Sequence, residues 1–220
     1  RDRLRSRGLG DVYKRQVKCC YGLKFLGIPG NMESIPRYLC EQCISLKNVS
    51  VPNGIGTIPD NAFSECHSLE KITMPETVTS LGKFALNECL AMKELYLPEK
   101  VSAIDGSIFR KDWLLEGIRL TDGITEIPDN AFSGCYMLTE LVIPAAVTAI
   151  TKYAFENCKG MKRYYFLPVL PPKLSGATVF NGIPEDCKIY VPKGSLEAYQ
   201  TANSWSNYAS YMVEMEGDVL

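Results

Sequence analysis

The 220-residue chain is poor in the residues that carry most chemistry. It has one histidine, His67, and two tryptophans, Trp113 and Trp205. No H-E-x-x-H pair is present, and no glycine-rich loop of the kind that cradles phosphate. No apolar run approaches the roughly 18 residues that a membrane-spanning helix requires. Charge of one sign is also missing, since the formal balance is −1. That balance hides an asymmetry. Residues 1–16 hold six basic side chains (Arg1, Arg3, Arg5, Arg7, Lys14, Arg15) and two acidic ones (Asp2, Asp11). Removing them from totals of 24 and 25 leaves 18 basic and 23 acidic residues, or −5, for 17–220. A mildly acidic body argues against nucleic acid as the partner.

The arginine-rich start lacks the apolar stretch of a secretory signal. It opens without methionine and reads as non-native translation or disorder, although Leu9 and Val12 fall in register with a repeat that runs through the rest of the chain. Apolar residues make up 46% of the chain, enough for a sizeable core.

What the chain has is a period. The residues Ile28, Val51, Met74, Leu97, Leu120, Ile143 and Phe166 each end a short strand-like run, and every step is 23. Proline comes directly after most of them, at Pro29, Pro52, Pro75, Pro98 and Pro144. A second row lies two residues earlier (Leu26, Val49, Ile72, Leu95, Ile118, Leu141, Tyr164), and a third lies three before that (Leu23, Leu46, Leu69, Met92, Leu115, Leu138, Met161). The unit is L-x-x-L-x-L-P, seven times over. Further rows run through Ile55, Val78, Val101, Ile124 and Val147, and through Ile35, Ile58, Leu81, Ile104, Ile127 and Ile150. Phe63, Phe109, Phe132 and Phe155 form an aromatic row, with Leu86 and Cys40 in the same place.

Alternation in the last part of the motif places alternate side chains on one face of a strand. Proline ends the strand, having no N–H for the ladder. Each unit is too small to bury its own apolar face, so units must stack. Seven coils at about 4.8 Å make a rod roughly 30 Å long. The expected architecture is a solenoid with one curved parallel sheet, its other face made of loops and helical turns.

The pattern I-x-I-P-x-x-V-x-x-I-x-x-x-A-F-x-x-C resembles the BspA-type leucine-rich repeats of bacterial surface proteins. The resemblance implies a leucine-rich-repeat solenoid over 17–168 in the α/β class, rich in strand. Residues 169–220 form the expected C-terminal cap. There, Ile189-Tyr190-Val191-Pro192 supplies an atypical strand, Ser195 an N-cap, and Leu196, Tyr199 and Ala202 a short helix with Trp205 beyond. For function, the resemblance implies a non-enzymatic binding module, secreted or at the cell surface. Family members are associated with adhesion, so host extracellular matrix or cell-surface protein and glycan are the expected partners. A spacer that displays another domain, and an intracellular scaffold, are the alternatives.

Nine cysteines invite a disulfide or zinc reading. Six of them (Cys20, Cys43, Cys66, Cys89, Cys135, Cys158) share one repeat position and are expected as a column facing the core. There free cysteine behaves as a small buried hydrophobe. The C-x-x-C at Cys40 and Cys43 divides between that column and the aromatic row. Neighbouring thiols stack near the separation a disulfide tolerates. No metal or cofactor is expected. Asp112 interrupts the column and Thr121 the proline row. Asp112 is read either as a bulge in which the carboxylate bonds backbone amides or as a local ligand site. His67 sits beside Cys66 in a loop, where neighbouring side chains diverge, so a Cys–His nucleophilic pair is not expected.

The register also names the outward residues of the sheet. One row is Ser50, Thr73, Tyr96, Arg119, Val142 and Tyr165; the other is Asn48, Lys71, Glu94, Gly117, Glu140 and Arg163. Lys71, Thr73, Glu94, Tyr96, Arg119, Glu140, Arg163 and Tyr165 form the candidate binding face. The tyrosines and arginines are the types enriched in interface hot spots.

Overall fold

The computed structural model describes residues 17–217. The arginine-rich start lies outside them. The strands, in chain order, are β1 (Phe25–Gly27), β2 (Asn48–Ser50), β3 (Thr57–Ile58), β4 (Lys71–Thr73) and β5 (Ser80–Leu81). They continue as β6 (Glu94–Tyr96), β7 (Ala103–Ile104), β8 (Gly117–Arg119), β9 (Glu126–Ile127) and β10 (Glu140–Ile143). The last five are β11 (Ala149–Ile150), β12 (Arg163–Phe166), β13 (Lys173–Leu174), β14 (Lys188–Val191) and β15 (Met212–Glu214). One α-helix, α1 (Leu196–Thr201), and a 3-10 helix, Trp205–Tyr211, come after β14.

The fold is a parallel-strand solenoid of about eight coils. Among the described residues all pairing is parallel, and the register carries each residue onto its equivalent in the next coil, 23 residues on through the regular array and 25 on from β12 to β14. Leu26 meets Val49, which meets Ile72; Leu141 meets Tyr164, which meets Ile189. The expected atypical strand is β14. A further rung, β15, pairs with it through Ile189 and Met212.

The return path is not made of helical turns. It holds a second parallel ladder of two-residue strands, in which Ile58 meets Leu81 and Leu81 meets Ile104. Beyond it, each repeat has two residues in the left-handed region, such as Asn61 and Glu65, Ser107 and Lys111, or Asn130 and Gly134. These turn their amides along the rod. Asn61 donates to the Lys83 carbonyl (2.9 Å), Glu65 to Asn87 (2.7 Å), Ser107 to Asp129 (2.7 Å) and Lys111 to Ser133 (2.7 Å). A helix would keep those donors to itself. The left-handed residues give them to the next coil, so the third side is hydrogen-bonded too.

Between these sides lies one continuous core. Phe63, Leu86, Phe109, Phe132 and Phe155 are all buried in their row. Ring centroids lie 5.3 Å apart for Phe109–Phe132 and 5.8 Å for Phe132–Phe155. Phe180 extends the stack, 5.2 Å beyond Phe155. The end of the core is closed by Tyr199 of α1 and by Trp205, both buried. The indole of Trp205 meets Phe166 edge-on at 5.0 Å and donates to the Pro172 carbonyl (2.7 Å). Ser195 precedes α1 but makes no side-chain capping bond.

Cys43, Cys66, Cys89, Cys135 and Cys158 are buried as expected; Cys20, at the first coil, is exposed. Each of these five buried column thiols donates to a carbonyl 26 residues earlier, among them Cys66 to Cys40 (3.2 Å), Cys135 to Phe109 (3.1 Å) and Cys158 to Phe132 (3.2 Å). The thiols thus satisfy inward carbonyls that the ladders leave over.

Asp112 holds the thiol's place without a bulge. The turn keeps the usual bonds, Asp112 N–H to Phe109 O (3.2 Å) and Leu115 N–H to Asp112 O (3.1 Å). One carboxyl oxygen accepts the Cys89 amide at 2.8 Å, while the other has no partner among the described residues. Burial pushes this carboxyl well above the usual range; the Cys89 N–H opposes the shift and the Glu88 charge adds to it. Thr121, in proline's place, donates to the Val101 carbonyl.

Two substitutions test this packing. Phe132→Ala opens a cavity in the ring stack and should cost about 3–5 kcal/mol in urea unfolding, against at most about 0.5 for the exposed Tyr96→Ala. Asp112→Asn keeps the acceptor for Cys89 and removes the ionisable group. An acid whose folded value is raised binds more protons folded than unfolded. Its stability contribution therefore falls as pH rises from about 4 toward the folded value. The variant should gain thermal stability over the wild type progressively across that range; parallel pH profiles would refute the assignment.

Candidate functional site

The outward face of the larger ladder is built by alternation. In β4 and β6 the middle residue is buried while both flanking residues are exposed. Lys71, Thr73, Glu94, Tyr96, Arg119 and Glu140 therefore stand in solvent as expected. Arg163 and Tyr165 do not stand free; both are half-buried. Arg163 is drawn down by an ion pair with Glu140 on the adjacent strand. Tyr165 is covered by Tyr190, which stacks on it at 4.9 Å with planes 18° apart.

The face has two distinct regions. The first centres on β6 and β8. Tyr96, 76% exposed, lies opposite Arg119 in the register. Its hydroxyl donates to Glu94 at 2.9 Å, and that carboxylate raises the phenol above its ordinary value. Arg119 makes no ion pair among the described residues. Tyr96, Arg119, Thr121 and Asp122 border a groove of about 430 Å³. Gly117, two residues before Arg119, faces open space: a Cβ there would meet nothing within 4 Å. The second region is the row Val142, Tyr165, Tyr190 and Val213, set by the pairing of β10, β12, β14 and β15.

Tyr190 and Lys188 are reachable from the same register, since Lys188–Val191 reads as a strand. Val213 is not, because nothing in residues 205–214 shows the period. Phe25, 68% exposed on β1, also belongs to this face. On the edge beside the thiol column, Trp113 and Tyr136 stack at 6.2 Å, and Lys159 lies 5.5 Å over the tyrosine ring.

Among the described residues, no three His, Cys, Asp or Glu side chains gather as a metal site would require. No helix among them is long and apolar enough to cross a membrane. No curated protein matches the chain.

Solved structures do match. A leucine-rich repeat protein from Bacteroides ovatus ATCC 8483 covers 90% of this chain and 67% of its own, at 18% identity and a TM-score of 0.60. The T. pallidum leucine rich repeat protein TpLRR covers 84% of this chain and 90% of its own, at 23% identity and a TM-score of 0.58. A leucine rich cell surface protein from Faecalibacterium prausnitzii A2-165 covers 86% and 76%, at 18% identity and a TM-score of 0.43. At such identities the first two share the fold. Six copies of the BspA type leucine rich repeat region match residues 18–162, well over half of the chain. The 23-residue period, the stacked core and this match converge: the chain belongs to the BspA-type leucine-rich-repeat family.

Proposed function

We propose that the array is a non-enzymatic binding module, placed on or secreted from a bacterial cell, which recognises a protein or glycan through the outward face of its larger ladder. The observation that carries the reading is the Tyr96–Arg119 step. An exposed ring, a guanidinium without an ion pair among the described residues and a groove of about 430 Å³ lie together on rigid strands. Aromatic and arginine side chains on a fixed frame lose little entropy when they bind. The Tyr165–Tyr190 stack extends the surface along the same row. Host extracellular matrix or another cell surface is the partner class the family resemblance favours, and the acidic body disfavours nucleic acid.

A spacer role is supported by a different observation. Hydrogen-bond ladders run along three sides of the rod, which suits a rigid stalk.

One experiment separates the two readings. Residues 17–220 are screened against glycans and extracellular-matrix proteins, beside a variant with Tyr96, Arg119 and Tyr165 changed to Ala. A binding module gives at least one ligand whose affinity falls roughly tenfold or more in the variant, with the melting transition retained. Ligands bound equally by both proteins would sink the assignment of this face. No ligand at all would favour the spacer.

A further inference from the structure

The first full turn of the array differs from every other in one respect. Its aromatic-row position is a cysteine. In the coils that follow, the column thiol has a ring or leucine three residues before it, as Cys66 has Phe63 and Cys89 has Leu86. Here Cys43 has Cys40, and the Cys40 thiol hydrogen-bonds the Cys43 sulfur. The two residues span a turn closed by the Cys43 amide and the Cys40 carbonyl at 3.0 Å. Such a turn brings its end Cα atoms within about 7 Å, the separation a disulfide needs. Gln42 between them is left-handed and donates to Ser64, so the next coil fixes the turn. Both thiols are fully buried.

The neighbour in the column is Cys20, the exposed member of the row. Its backbone N–H and the Cys43 thiol both donate to the Val17 carbonyl, at 3.2 and 3.1 Å, which sets the two residues side by side. We propose that Cys40 and Cys43 form an oxidisable dithiol, loaded through Cys20 by a small-molecule disulfide. This inference is independent of the binding face.

The charge balance within the pair suits exchange. The Cys40 hydrogen bond lowers the Cys43 thiol below its ordinary value, and the same contact raises Cys40. Cys43 is therefore the attacking sulfur. The Cys20 thiolate attacks the oxidant and releases its first thiolate. Cys43 attacks the Cys20 sulfur and expels the second. That second step leaves a Cys20–Cys43 disulfide, with both halves of the oxidant released as thiolates. Cys40 then attacks the Cys43 sulfur, closes the disulfide and returns Cys20. The protons lost from Cys40 and Cys43 go to the two released thiolates, and two electrons pass from the pair to the oxidant.

The test uses the full chain with glutathione disulfide, alkylation of the remaining thiols, and trypsin. The peptide Tyr38–Lys47 holds both cysteines and no third one. The expected product is this peptide two hydrogens lighter and unalkylated, while Cys66, Cys89 and Cys135 stay reduced in the folded protein. Cys20→Ser should give the same product roughly tenfold or more slowly. Cys40→Ser should stop it and leave glutathione or Cys20 on Cys43. The proposal is overturned if Tyr38–Lys47 is alkylated like the Cys66 peptide in the wild type. It is equally overturned if Cys20→Ser leaves the rate unchanged.

Discussion

Everything in this molecule depends on hydrogen bonds that run along the rod between coils. Through the regular array a residue meets the residue 23 positions on in both ladders, and the left-handed turns bond each coil to the next. Within a coil the bonds are confined to short turns, so a coil cannot stand alone. The stability of one coil is therefore largely the interface with its neighbours. This sets a severe rule for the sequence: any side chain placed in a column must tolerate its own kind about 4.8 Å above and below.

The rule sorts residue types. Aliphatic rows and phenylalanine stacks satisfy it at once, since like packs on like. Thiols satisfy it by donating backwards to a carbonyl rather than to each other. Several charges satisfy it by changing sign between coils. Lys47 meets Glu70 at 2.8 Å, Lys93 meets Glu116 at 3.5 Å, and Lys111 meets Glu88 at 3.0 Å. Each exposed pair contributes little by itself. Its larger effect is to avoid like charges directly opposed, which destabilise neighbouring strands.

Because columns arise from a fixed period, much of the fold was legible in the sequence. The strand rows, the buried face and the outward face come from counting; the eighth rung, 25 residues on, comes from the strand-like run Lys188–Val191 instead. The second ladder does not, since a two-residue strand such as Thr57–Ile58 is too short to show alternation. The left-handed turns are equally hidden. Asn61, Asn130, Gly134 and Gly182 hint at them, but Phe84, Glu88 and Tyr153 occupy equivalent places against propensity, the first two held by bonds to the Gly106 and Arg110 carbonyls of the next coil. For the candidate face, register fixes which residues point outward but not how they interact. The half-burial of Arg163 and Tyr165 comes from Glu140 and Tyr190, partners on neighbouring strands whose side-chain conformations no spacing encodes.

The departures from the rule cluster. One coil carries Asp112 in the thiol column, Gly117 in a strand, Arg119 without an ion pair among the described residues and Thr121 in place of proline. Inside, the substitution buries a carboxyl with one unsatisfied oxygen, which costs stability. Outside, the same stretch lines a groove with Tyr96. A scaffold whose stability comes from uniform columns tolerates irregularity only where neighbouring coils compensate. The Phe109–Phe132 contact and the ladder from Ser107 and Lys111 to the next coil supply that compensation here. The regular coils thus serve as the rigid support for one irregular one. The strand alternation that turns Ile118 and Leu120 inward and Arg119 outward separates the packing of this coil from the face proposed for recognition.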